Sequence, residues 1–299
     1  MKYSIHIFSA HVINQQAWDA CVSKHSNGLI YAQYDYLDRI CDHWSGLVIG
    51  DYEAIIPLPW RRKYGFRYYY IPPFIQQLGF IGDTSLLNFL HEELVQKIRS
   101  YAWYGDLHFN FSNHLLASEL HCKNRTNFII DLNKDYLDIY KDYHPDLKQV
   151  LLKIQEGGFQ YSKQQSISGT IRNYQQQYAS RMPHLSIEHF ERLHDLCRFY
   201  ASRGDCIIRS AMKPDGTILS DTLLLKDQRR MYHLLNTTFP EGRETHSNPW
   251  LLDQIFREYS NRNLLFDFEG SDLPGVKTFY KKFGGHVQPY FHYRRNIWH

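Results

Sequence analysis

Cys206–Met212 reads Cys-Ile-Ile-Arg-Ser-Ala-Met, Thr217–Leu225 reads Thr-Ile-Leu-Ser-Asp-Thr-Leu-Leu-Leu, and Arg230–Thr238 reads Arg-Met-Tyr-His-Leu-Leu-Asn-Thr-Thr. Each run has the β-branched and apolar content of a strand. Only Lys213-Pro214-Asp215-Gly216 separates the first pair, and only Lys226-Asp227-Gln228-Arg229 the second. A parallel crossover needs a dozen residues or more, so connections this short predict an antiparallel meander. The periodicity then turns helical. After the polar stretch Phe239–Asn248 a helix is expected over Pro249–Tyr259, with Asn248 as cap and Pro249 in the first turn. A strand at Asn263–Phe268, a short helix at Gly275–Phe283 and a last strand at Val287–Tyr293 complete the pattern.

Upstream, Ser186–Arg203 carries Ile187, Phe190, Leu193, Leu196, Cys197 and Tyr200 at helical spacing, with Ser186 as cap and Gly204 as stop. Gly169–Arg181 reads as a helix and Phe159–Gln164 as a strand. Asn133 is placed to cap a short helix over Lys134–Tyr143. A second helix, Pro145–Gln155, is expected to stop at Gly157-Gly158. In the first half, Leu86–Ala102 has helical spacing, and Phe109–Phe111 and Asn127–Leu132 read as strands. Pro57, Pro59, Pro72 and Pro73 mark strand ends, edges or bulges, because proline lacks the N–H of a central ladder. Arg61-Arg62-Lys63-Tyr64-Gly65 has the look of a hairpin tip.

The bulk numbers narrow the function classes. With 299 residues, 43% hydrophobic and 22% charged, the chain suits two globular domains. A net charge of +3 is too small to argue for DNA or for a general RNA surface. Five cysteines without metal-like spacing, and an N-terminus that alternates like a strand, lead to the expectation of free thiols in the cytoplasm. No run approaches the ~18 apolar residues of a membrane span. The 17 histidines form no ligand set: His189 and His194 are five apart, His286 and His292 six. No metal is expected.

Three segments carry a resemblance. Asp146–Gly158 is similar to a basic helix that ends in glycine, Asn263–Gly270 to a penultimate strand ending in Asp-Phe-Glu-Gly, and Gly275–Gly285 to a Phe-Lys-x-x-Phe-Gly helix and turn. In this order they resemble the Fem-type branch of the GNAT N-acyltransferase superfamily, over roughly Asp131 to Tyr293. The resemblance implies an α+β fold of two tandem GNAT-like domains, each a twisted mixed sheet flanked by helices. The expected division is 1–132, a degenerate first domain, and 133–299. It further implies transfer of an acyl or aminoacyl group from a CoA thioester or an aminoacyl-tRNA to an amine on a peptide, a small metabolite or an envelope precursor such as that of peptidoglycan, with no tightly bound cofactor. One departure stands out. Where acetyl-CoA-dependent members have a glycine-rich pyrophosphate loop, this chain has Phe239–Pro249, with one glycine and the carboxylates of Glu241 and Glu244.

By the same resemblance, strands Arg230–Thr238 and Asn263–Phe268 splay apart, and the acyl group would sit between Leu235–Thr238 and Phe266–Phe268, with Asn236, Thr237 and Thr238 as donor-binding candidates. Asp267 and Glu269, two apart on a strand, read as a catalytic base or amine-binding pair, or else as caps of the turn after the strand. Lys281 and Lys282, with Arg294 in a tail that has no acidic residue after Leu273, would meet donor phosphates, or form a solvated face. Arg61, Arg62, Arg67 and Tyr69 are candidates for an anionic acceptor, or belong to a charged hairpin tip that discourages edge pairing. The alternative to an enzyme is a non-catalytic binding module that kept the fold.

Overall fold

A computed structural model describes residues 3–154, 158–270 and 274–296. The expected end of the helix at Gln155–Gly157, the turn residues Ser271 and Asp272, and the tail's two ends, Leu273 and 297–299, lie outside those residues. The first half contains β1 (Ile5–Ser9), α1 (Gln15–Lys24), α2 (Tyr34–Ile40), β2 (Trp44–Ile49), β3 (Ala54–Lys63), β4 (Phe66–Tyr69), α3 (Thr84–Tyr101), β5 (Tyr104–Phe109), α4 (His114–Glu119) and β6 (Lys123–Arg125). Next come β7 (Phe128–Asp131), α5 (Tyr136–Lys141), α6 (Pro145–Ile154), β8 (Gln160–Ser162), α7 (Ile167–Tyr178), α8 (Ile187–Ser202), β9 (Cys206–Met212), β10 (Ile218–Lys226) and β11 (Arg230–Thr238). The chain ends with α9 (Pro240–Glu244), α10 (Ser247–Tyr259), β12 (Leu265–Asp267), α11 (Pro274–Lys281), β13 (His286–Val287) and β14 (Tyr290–Arg295).

These elements form two mixed seven-stranded sheets, ordered β1-β2-β3-β4-β5-β14-β6 and β13-β7-β12-β11-β10-β9-β8. The fold is α+β, and the two orders are the same pattern repeated: an antiparallel meander, a parallel neighbour, then a pair of antiparallel strands. Contacts divide the chain into one unit up to Arg125 plus Pro289 onward, and a second unit of Thr126–Gln288. This differs from a break after Leu132. β7 pairs with β12, Ile130 opposite Phe266, so it belongs to the second sheet. The expected strand Val287–Tyr293 is two strands. β13 pairs with β7, whereas β14, past Pro289, pairs with β5 and β6 in the first sheet.

Helix positions depend on which side chains can be buried. α10 puts Leu251, Leu252, Ile255 and Phe256 into the second core against Leu224, Met231 and Phe266. Burying such side chains contributes roughly 1.5–3 kcal/mol each. α10 begins at Ser247, with His246 rather than Asn248 at the cap, and α5 is capped by Asp135, whose side chain accepts from the Leu137 N–H, rather than by Asn133. α3 buries Leu87, Leu90, Leu94, Val95 and Ile98 in the first core.

The first unit closes the gap in its sheet. β4 and β5 run parallel only at Tyr68–Tyr104 and Tyr69–Gly105. The chain after β4 then fills the space: the Leu78 N–H donates to the His108 carbonyl (3.2 Å) and the Asn110 N–H to that of Leu78 (2.8 Å). Gln77 is buried there and accepts from the Phe111 N–H.

Candidate active site: the parting strands of the second unit

β11 and β12 are paired, in parallel, at three positions only: Arg230–Leu265, Met231–Phe266 and Tyr232–Asp267. From His233 to Thr238, β11 has no strand partner on that side among the described residues. Its other side is paired to β10 with a register slip, Leu223 opposite Leu235 but Leu225 opposite Tyr232. The extra residue is a bulge at His233–Leu234, which sharpens the local twist where the strands part.

Asp267 is what ends β12. One carboxylate oxygen accepts the Glu269 N–H (2.9 Å) and the Asn127 side-chain amide (2.9 Å), and the other accepts from the Arg230 guanidinium (2.8 Å). Both Arg230 and Asp267 are buried. The turn puts Glu269 in the left-handed region, φ 59°. Alternation along a strand therefore stops at Asp267, and Asp267 and Glu269 do not share a face. The carboxylate of Asp267 is fully engaged in holding the base of the wedge.

Above that base the strands leave a cavity of about 940 Å³. Leu234, Asn236 and Thr238 line it from β11, and Phe268, Glu269 and Gly270 from the turn beyond β12. α7 contributes Tyr174 and Tyr178, and α11 contributes Val276, Phe279 and Tyr280. The Tyr178 hydroxyl accepts the Thr238 N–H (3.3 Å). His233 also borders the cavity, with its ring against Phe266 and Phe268. Burial lowers its pKa to about 4, so the ring is neutral at pH 7. Burial, then the charges of Tyr178 and Glu269, pushes the Tyr174 phenol up to about 12, and Tyr280 is raised by burial and by Glu269.

The remaining rim is polar and mostly basic. Arg181 lies just past α7, and Arg243 in α9; Lys282 completes the set and pairs with Asp146 (3.3 Å). The stretch after β11, expected as a loop, is the short helix α9. Its Glu241 pairs with Lys213 of the β9–β10 turn, and neither Glu241 nor Glu244 borders the cavity, whereas Gly242, Arg243, His246 and Asn248 do. The carboxylates that argued against phosphate thus stand elsewhere. Gly242 is held to glycine by packing, since a Cβ there would come within 2.1 Å of the Leu219 carbonyl oxygen.

Of the residues anticipated from sequence, Asn236, Thr238, Glu269 and Lys282 meet at this cavity. Thr237 is buried on the opposite face, cross-strand from Asp221. Lys281 is exposed at the end of α11 and does not border the cavity. Arg294 lies on β14 in the first unit's sheet, paired with Asp106 (2.7 Å), because the chain changes sheets at Pro289. Arg61, Arg62, Arg67 and Tyr69 are also in the first unit. Arg61 pairs with Asp42 and lies over the Tyr70 ring, and Arg67 lies against Trp60 and Tyr101. Tyr69 is a core residue whose hydroxyl donates to the Ile98 carbonyl (2.7 Å), so of the four only Arg62 is exposed. Sequence reading missed Arg181, Arg243, Tyr174, Tyr178 and His233. The one available signal was Arg243, which sits inside the segment already singled out.

Neither a family model nor a curated protein matches the sequence. Solved structures do. FemX matches with a TM-score of 0.68 at 13% identity, over 99% of this chain and 98% of that one. The C-terminal domain of a putative lysylphosphatidylglycerol synthetase from Agrobacterium fabrum matches with a TM-score of 0.56 at 12% identity, over 95% and 93%. L-PGS from Bacillus licheniformis matches with 0.54 at 10%, over 95% and 92%. The fold of this chain is that of the Fem-type, GNAT-like proteins.

Proposed function

We propose that the chain is an N-acyltransferase that moves an acyl or aminoacyl group to an amine acceptor in the cleft between β11 and β12. The observation that carries this reading is the parting of the strands after three paired positions, with a cavity beside Asn236 and Thr238. An unpaired strand edge offers backbone N–H groups to the oxyanion that forms when an amine adds to a carbonyl. The amine nitrogen bonds to the carbonyl carbon, the bond to the thioester sulfur or ribose oxygen breaks, and the amine gives up a proton. Glu269, at the lip, is the carboxylate suited to hold the amine and take that proton. Tyr174, a phenol at neutral pH, can supply one to the leaving group.

The donor carries phosphate on this reading. Arg181 and Arg243 stand at the rim with the N-terminus of α10, where helix dipole and backbone amides favour an anion. A CoA thioester and an aminoacyl-tRNA both meet that description. The acceptor is an amine on a peptide, a small metabolite or an envelope precursor. The open cavity disfavours a binding module that kept only the fold, since such a module has no need of space at the parted edge. Thermal-shift and isotope-transfer assays over acyl-CoAs and charged tRNAs test the proposal. Stabilisation by a donor and label transfer to an amine are expected; neither with any donor sinks it.

A further inference from the structure

The first unit carries an exposed aromatic tip that the transfer reaction does not explain. β3 and β4 form a hairpin, with Arg62 opposite Arg67 and Lys63 opposite Phe66. Trp103, between α3 and β5, stands beside the tip: its backbone N–H donates to the Arg67 carbonyl (2.9 Å) and its ring lies 4.6 Å from that of Phe66. Tyr64 is 88% exposed, Trp103 59% and Phe66 47%. Large apolar side chains gathered at one exposed point mark a contact surface.

The segment that forms the tip carries charge of one sign. Arg62 and Lys63 are exposed, the Lys63 ammonium over the Tyr64 ring, and the sequence has no acidic residue between Glu53 and Asp83. Aromatic rings flanked by cations fit the headgroup layer of an anionic bilayer, where Trp and Tyr sit at the polar boundary and Arg and Lys reach the phosphates. Single-stranded RNA fits less well, because it needs open ring faces for its bases. Here Phe66 and Trp103 pack on each other, and Tyr68 and Tyr104 stack at 5.0 Å with an interplanar angle of 6°. Among the described residues no helix is long and apolar enough to cross a membrane.

We propose that this hairpin tip seats the protein on an anionic lipid surface, with Tyr64, Phe66 and Trp103 in the headgroup layer and Arg62 and Lys63 on lipid phosphates. The test is co-sedimentation of the full chain with phosphatidylcholine vesicles with and without phosphatidylglycerol, at low and high salt. Binding is expected to need phosphatidylglycerol. It should fall about tenfold in the triple variant Tyr64→Ser, Phe66→Ser, Trp103→Ser, whose side chains are exposed enough to leave folding unchanged. The double variant Arg62→Gln, Lys63→Gln should bind more weakly and lose most of its salt dependence. Wild-type binding that the triple variant retains overturns the proposal. So does no binding to either vesicle, and so does hairpin-dependent binding of a single-stranded RNA oligonucleotide without vesicle binding. None of these outcomes bears on the transferase reading.

Discussion

The guanidinium of Arg230 and the carboxylate of Asp267 meet at 2.8 Å with neither side chain open to solvent, and they join β11 to β12 just where the strands are about to part. The pair fixes how far the wedge closes. Removing one partner leaves the other charged and buried, at a cost of roughly 3–5 kcal/mol. Arg230→Met is therefore expected to lower stability by about that much in urea unfolding. Asp267→Asn keeps an acceptor for the Glu269 N–H but leaves the buried Arg230 guanidinium without a carboxylate and turns an amide NH2 toward it, so it should lose a comparable amount of stability. If Arg230→Met unfolds like wild type, the ion pair is not what holds the strands together.

If the cavity holds the donor, filling it should block binding without unfolding the protein. Asn236 is half-buried and borders the open space. Asn236→Trp places a large ring there at little expense to the core behind it. Donor affinity, measured by thermal shift or calorimetry, should fall at least about tenfold, equivalent to roughly 1.4 kcal/mol, with the unfolding midpoint near that of wild type. Undiminished donor binding would put the donor elsewhere.

Arg181 and Arg243 make a prediction about donor chemistry. Hydrogen bonds to charged groups contribute about 1.5–3 kcal/mol each. Arg181→Gln and Arg243→Gln should each raise KM for a phosphate-bearing donor by roughly tenfold to a hundredfold. A truncated acyl-pantetheine, which lacks the nucleotide and its phosphates, should be indifferent to both substitutions. Equal losses with the long and short donors would mean that the arginines act on something other than phosphate.

How much of this was readable beforehand depends on the range of the forces involved. β9 and β11 keep the bounds expected from sequence, because tight turns and apolar runs are local signals. The fate of the last strand was not local. Val287 and Tyr290 are three residues apart yet lie in different sheets, since Pro289 interrupts the ladder and the partners come from distant parts of the chain. The pairing of Asp267 with Glu269 failed for a related reason: a two-residue period holds only inside a strand, and β12 stops at Asp267. Glu241 looked hostile to phosphate because its partner, Lys213, lies in a turn far back in sequence. Arg181 and Arg243 come from separate elements, and no spacing rule links them.

Two buried groups on neighbouring strands should give opposite pH dependences of stability. Burial raises the Asp221 carboxyl to about 6, against the hydrogen bond from Asn173, so the folded state keeps a proton there that the unfolded chain has released. Its contribution is full below the unfolded value near 3.9 and is lost as pH rises through about 6. Burial lowers His233 to about 4, so there the unfolded chain holds the extra proton, and stability rises with pH from about 4 to the unfolded value near 6.5. His108, also lowered to about 4 by burial, adds a slope of the same sign as His233, so the wild-type curve alone cannot separate them. Differences between variants can. The stability of wild type minus that of Asp221→Asn should fall by roughly 2 kcal/mol between about pH 4 and pH 7, and wild type minus His233→Phe should rise over the same interval by roughly 3 kcal/mol. Urea unfolding at a series of pH values measures both, and a flat difference for either variant would show that its group does not titrate differently in the folded and unfolded chains.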